Sequence, residues 1–181
     1  MSPEIPLPPG VTGEHESDPH ILDGAVALVQ SLQADESPIF RAAKILRELD
    51  DEVGRHFGGR SRTAEDLEDY LRKFSSLRTE VESSAEQVAS VAARMAEGDE
   101  DALSAMVTLK EKIESLNTEV AALASKTEDE ICPALNRFAE NIENAGALNS
   151  ADDIRIHSKR LNSAISDLAQ TVQQIKTECN R

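Results

Sequence analysis

Four histidines, two cysteines and a glycine turn flanked by arginines are the residues of this chain whose types and spacing could do chemistry. The stretch HESDPH, residues 15–20, resembles the zinc pattern H-E-x-x-H, in which two histidines four apart share one helical face. Here His15 and His20 are five apart, and Asp18-Pro19 between them has the form of an N-cap followed by proline at the first helical position. The pair reads as a helix start. His56 and His157 add no cluster at ligand spacing, so no metal or cofactor is expected, and His157 reads as a boundary residue beside an apolar stripe.

A nucleophilic thiol needs a base within hydrogen-bond reach. In a helical hairpin turning near residue 148, Cys132 falls opposite about residue 164, which leaves His157 roughly 10 Å away along the axis. The same arithmetic separates Cys179 from the level of Cys132 by roughly 22 Å, whereas a disulfide needs Cα atoms within about 7 Å. Neither a Cys-His site nor an internal bridge is expected. The stretch GRHFGGRSR, residues 54–62, gathers Arg55, Arg60 and Arg62 around glycines but lacks the preceding strand and the G-x-x-x-x-G-K spacing of a phosphate loop. It reads as a solvated turn, with an anion or acidic-partner contact at Arg55, Arg60 and Arg62 as the functional alternative. Acidic runs such as Asp50-Asp51-Glu52 and Glu128-Asp129-Glu130 fit exposed faces and first helical turns. No catalytic residue is assigned, and the chain is not expected to be an enzyme.

The elements that must carry these residues are helices. Aromatic residues make up only 3% of the 181, with no Trp, so the core must be built from Leu, Ile, Val and Ala. Residues 1–17 are rich in proline and glycine and predict a disordered tail, whose PLPP could serve as a polyproline-type ligand. A single helical domain is expected over 18–181. Asp18-Pro19 and Ser37-Pro38 start two short helices, at about 19–35 and 38–57, and Gly58-Gly59 closes the second. From about Thr63 a 3-4 alternation runs through Leu67, Tyr70, Phe74, Leu77, Val81, Ser84, Val88, Val91 and Met95, which predicts a helix over 64–97, roughly 50 Å long. Leu71, Ala85 and Ala92 widen its apolar face beyond a two-stranded seam.

Two more long helices are expected, at 100–145 and, capped by Ser150 with Asp153, at 151–179. The fold class is all-α: an elongated up-down bundle of three long heptad-patterned helices plus the two short N-terminal ones. One irregularity stands out. The stripe Met106, Leu109, Ile113, Leu116, Val120, Leu123 should continue at 127 and 130, but these are Thr and Glu, and it resumes at Ile131 one residue out of phase. Pro133, which lacks an N–H and crowds the carbonyl of Asp129, lies at the same place. Thr127, Glu130 and Pro133 therefore mark a kink or hinge, or a break at which Thr127 and Glu130 form a capping box.

The net charge of −15, with seven acids and no Lys or Arg in residues 1–37, argues against binding nucleic acid or anionic lipid. No apolar run approaches the length of a membrane span and no secretory leader is evident, so a cytoplasmic, reducing setting is expected. The function expected is that of a non-enzymatic interaction or scaffold protein, binding a protein partner, basic by charge complementarity, or a second copy of itself through coiled-coil-like faces. The alternative is a component of an exported helical toxin or membrane-active assembly, suggested by the width of the apolar faces.

Overall fold

A computed structural model describes residues 22–57 and 61–180, all helix and turn. The tail 1–17, the Asp18-Pro19 start, the HESDPH stretch, Gly58-Gly59 and Arg60 lie outside the described residues. The helices are α1 (Asp23–Leu32), α2 (Pro38–Phe57), α3 (Arg62–Ala96), α4 (Ala102–Lys126), a π turn (Thr127–Ile131), α5 (Cys132–Asn144) and α6 (Leu148–Cys179).

The alternating apolar positions of α3 are all buried, including Ser84, and so are those of α4 and α6. This is what a 3.6-residue repeat does when its stripe meets a neighbouring stripe. Which stripes meet is read from the side chains that touch. Lys112 Nζ lies 2.7 Å from Ser83 Oγ and Tyr70 Oη 2.6 Å from Thr127 Oγ1, which sets α3 antiparallel to α4. Lys176 pairs with Glu114 and Arg155 with Glu143, each at 3.0 Å, so α6 runs back along α4 and α5. Arg41 pairs with Asp167 at 2.9 Å and His157 with Glu48 at 3.0 Å, so α2 descends along α6. α1 continues that line toward the end of α6, where Gly24 lets the Glu178 carboxyl lie against the chain; a Cβ there would come within 2.7 Å of Glu178 Cδ.

The two N-terminal helices are thus more than an appendage. α1 and α2 both pack on α6 and on α3, and their Ala25, Val29, Leu32, Ala42, Leu46, Leu49 and Val53 join one core with the long helices. With α6 touching α2, α4 and α5, it is the helix around which the others gather.

Local chemistry fixes most of the ends. Ser37 Oγ accepts from the Phe40 N–H and Ser61 Oγ from the Ala64 N–H, so α3 begins at Arg62, two residues before the expected start. Gly98 (φ 72°) and Gly146 (φ 99°) close α3 and α5 in left-handed conformations. In each case the glycine N–H bonds the carbonyl three residues back and the next N–H bonds the carbonyl five back, which satisfies the orphan carbonyls of the last turn. After the second of these turns the chain re-enters a helix at once. α6 starts at Leu148 with Ala147 at its N-cap and no side-chain cap, so the expected Ser150–Asp153 cap is not used and both residues lie inside the helix.

Candidate functional site

The phase slip in the sequence is resolved by a π turn. The Cys132 N–H bonds the Thr127 carbonyl, five residues back rather than four, so the helix takes in one extra residue. Buried positions then run Leu123, Thr127, Ile131, Leu135, Phe138 and Ile142, and a single chain keeps one face inward throughout. Proline explains why the widening falls here. The α-helical donor to the Asp129 carbonyl would be residue 133, which has no N–H, and the proline ring pushes that carbonyl aside. The Glu128 carbonyl is left over as well. Its α-type donor, Cys132, is committed to Thr127, and its π-type donor is again Pro133.

The capping-box reading of Thr127 and Glu130 is therefore corrected. Thr127 has helical dihedrals (φ −61°, ψ −51°), and its hydroxyl donates back to the Leu123 carbonyl at 2.7 Å instead of capping a new helix. Glu130 bonds Lys126 Nζ at 3.4 Å. A threonine has one hydroxyl proton, so with that proton on Leu123 it is Tyr70 that donates to Thr127. Both side chains are fully buried, and burial raises the Tyr70 pKa far above that of a free phenol. The π turn is thereby tied to α3 at the end of the α3–α4 seam.

Above the π turn, the first turn of α3 and the start of α5 frame a groove of ≈ 690 Å³. Arg62, Thr63 and Asp66 form one wall; Asp129, Glu130, Pro133, Arg137 and Asn141 form the other. The structure brings Arg62, Glu130 and Pro133, all singled out in the sequence, to one place. Arg55 is elsewhere, exposed on α2 and paired with Glu52 at 3.2 Å. Arg137 is the partner that sequence reasoning missed, because its closeness to Arg62 depends on how α5 sits on α3. Neither arginine has an ion-pair partner among the described residues. At the floor, Phe138 meets the His56 ring edge-on, centroids 6.4 Å apart. The arrangement offers two guanidinium forks, several carboxylates and an amide to a bound polypeptide or anion.

The reactive groups are otherwise engaged. Cys132 Sγ donates to the Ser158 carbonyl at 3.3 Å, and burial pushes its thiol pKa up, away from thiolate character. Cys132 thus lies opposite residue 158, not 164, because the turn is centred on Gly146 and α6 begins early. His157 is near in height but turned toward α2, where its Nε2 meets Glu48. Burial pushes the fully buried Cys179 thiol up to about 11, and both cysteines are free. Among the described residues no three His, Cys, Asp or Glu side chains converge as metal ligands.

A second groove, of ≈ 500 Å³ between α3 and α4, holds Glu80 and Glu119 close enough to share a hydrogen bond. That bond with Glu80 pushes the Glu119 carboxyl up to about 7, since two carboxylates this close cannot both stay ionised. The pairing of 80 with 119 depends on the α3–α4 register, and nothing in the sequence singled it out. No family model matches the chain, and neither curated proteins nor solved structures show significant similarity to it.

Proposed function

We propose that the chain is a non-enzymatic interaction module, an elongated helical bundle that seats a segment of a protein partner in the groove over the π turn. The observation that carries this reading is the set of unspent hydrogen-bonding groups there. Arg62 and Arg137 line it with no ion-pair partner among the described residues, and beside them the π turn interrupts the regular backbone ladder at Pro133, which has no N–H to give. π turns are frequent at functional sites because they leave such groups over. With an overall charge of −15, a partner that is basic outside the contact itself is favoured by complementarity, in a cytoplasmic setting.

Self-association is the weaker form of the same reading. The heptad positions that would serve a coiled-coil contact between copies are buried within the chain, which leaves scattered exposed residues, Leu103 and Val107 on α4, Leu148 and Ile156 on α6 and Phe40 on α2, as apolar material for it. The membrane-active alternative is less favoured, since the wide apolar faces are buried in the core and the bundle would have to open on lipid to present them. Among the described residues no helix is long and apolar enough to cross a membrane.

The test places a photo-crosslinking residue at Thr63 or Asn141 in the full chain and compares capture in extracts of the source cells with that from Thr118, on the outer face of α4. The reading requires a discrete adduct from the groove positions that is absent from Thr118 and disappears with Arg62→Ala/Arg137→Ala. Adducts of equal yield from all three positions would refute it.

A further inference from the structure

The seam between α2 and α6 gathers a second pair of unpaired cations, apart from the groove over the π turn. Two ion pairs bracket it, Arg41 with Asp167 at 2.9 Å and His157 with Glu48 at 3.0 Å. Residues 41 and 48 are two turns apart on α2, roughly 10 Å. Between them the two helices frame a groove of ≈ 410 Å³ with Lys44 and Ile45 on one side and Arg160 and Ser163 on the other. The bracketing carboxylates are occupied by Arg41 and His157. Lys44 and Arg160 have no ion-pair partner among the described residues, so even with the Glu48 carboxylate on its lining the groove is left with net positive charge from opposite walls.

In a chain of net charge −15, cations would be expected to spread among the acids. Here the tertiary fold instead sets Lys44 and Arg160, from two different helices, beside one groove with no carboxylate paired to either, where like charges repel unless an anion lies between them. We infer that this groove binds a small phosphorylated molecule through its phosphoryl group. The charge fits an anion held between one ammonium and one guanidinium. The donors fit a tetrahedral group: Arg160 offers a planar fork, Lys44 a compact ammonium, Ser163 a hydroxyl, and Arg41 the N–H groups not spent on Asp167. The volume suits a small molecule. A nucleic acid would bring phosphates against the acidic surface on either side, which the net charge disfavours.

The test is calorimetric titration of the full chain with inorganic pyrophosphate at 0.05 M and 0.15 M salt, conditions of order set by the screening length. Wild type should bind one equivalent with a dissociation constant below about 1 mM. Lys44→Ala/Arg160→Ala should weaken binding about tenfold or more, since each removes a charge-assisted contact. The control Arg47→Ala/Lys159→Ala removes the same net charge from the same two helices, outside the groove, and should leave binding within about twofold, as distant exposed charges are screened. Equal weakening by both double variants would mean general attraction only and would overturn the assignment, as would absence of heat from wild type. Should the Lys44/Arg160 variant lose helicity, Arg160→Gln alone carries the test, with about a threefold loss or more expected.

Discussion

The tie between Tyr70 and Thr127 can be measured directly, because each partner has an isosteric replacement. Thr127→Val keeps the β-branched shape but removes the acceptor of the Tyr70 O–H, and at 0% exposure no water can substitute. A stranded buried donor costs about 1–3 kcal/mol. Tyr70→Phe removes the donor instead, and Thr127 keeps its bond to the Leu123 carbonyl, so that change costs only about 0.5–1.5 kcal/mol. In the Tyr70→Phe background Thr127→Val has no phenol to strand, and its cost should fall below about 1 kcal/mol, a coupling of roughly 1–2 kcal/mol between neighbours. Urea unfolding followed by far-ultraviolet circular dichroism gives all four corners of the cycle. In a chain of this size a 2 kcal/mol loss lowers Tm by roughly 4–8 °C, well within measurement. If Thr127→Val costs the same with and without the Tyr70 hydroxyl, the hydrogen bond does not hold the π turn to α3.

Deleting Asp129 removes the extra residue, returns Ile131, Leu135 and Phe138 to an unbroken 3-4 repeat and should give a folded protein with a plain α-helix, but Pro133 then sits in a regular helix at a cost of about 3 kcal/mol. Combining the deletion with Pro133→Ala should recover most of that loss, and urea midpoints for the two proteins check the order. Because the Glu119 pKa is raised from 4.5 to about 7 in the fold, the folded chain holds more protons than the unfolded one between those values. The carboxyl pair therefore favours the fold at low pH, and that contribution is lost as pH rises from 4.5 to 7. Carboxyl resonances should show Glu119 titrating near 7, returning to the ordinary carboxylate range in Glu80→Gln, and the downward drift of stability should shrink in that variant. Gly54, in the last turn of α2 with open space where a Cβ would lie, should gain up to about 0.5–1 kcal/mol on change to Ala, whereas Gly98→Ala at φ 72° should lose about 1–2 kcal/mol; thermal melts give both signs.

Much of the chemistry was decided by what the side chains face. Cys132 carries the same thiol in any reading, but only packing shows it donating to the Ser158 carbonyl under a burial that raises its pKa. His157 was placed correctly at the edge of the core stripe, yet its partner Glu48 comes from a helix more than a hundred residues earlier. Arg62 could be singled out for its charge beside a turn, and Arg137 could not, since alone on α5 it looks like any exposed arginine.

The sequence by itself determined that the described residues form helices and which face of each long helix is buried, because a 3.6-residue repeat is written locally, while the starts at Ser61 and Leu148 were not read from it. It also located the irregular place, since the lost phase and Pro133 coincide there. Only the tertiary structure decided that the irregularity is one extra residue absorbed in a π turn. The heptad positions on either side pack against fixed neighbours in α3 and α6, and one added backbone residue lets both faces stay inward where a restarted helix would turn one away. The same holds for the grooves. Register between helices is set by contacts far apart in the chain, so the meeting of Arg62 with Arg137, Glu80 with Glu119, and Lys44 with Arg160 is a property of the fold, carried by no local pattern.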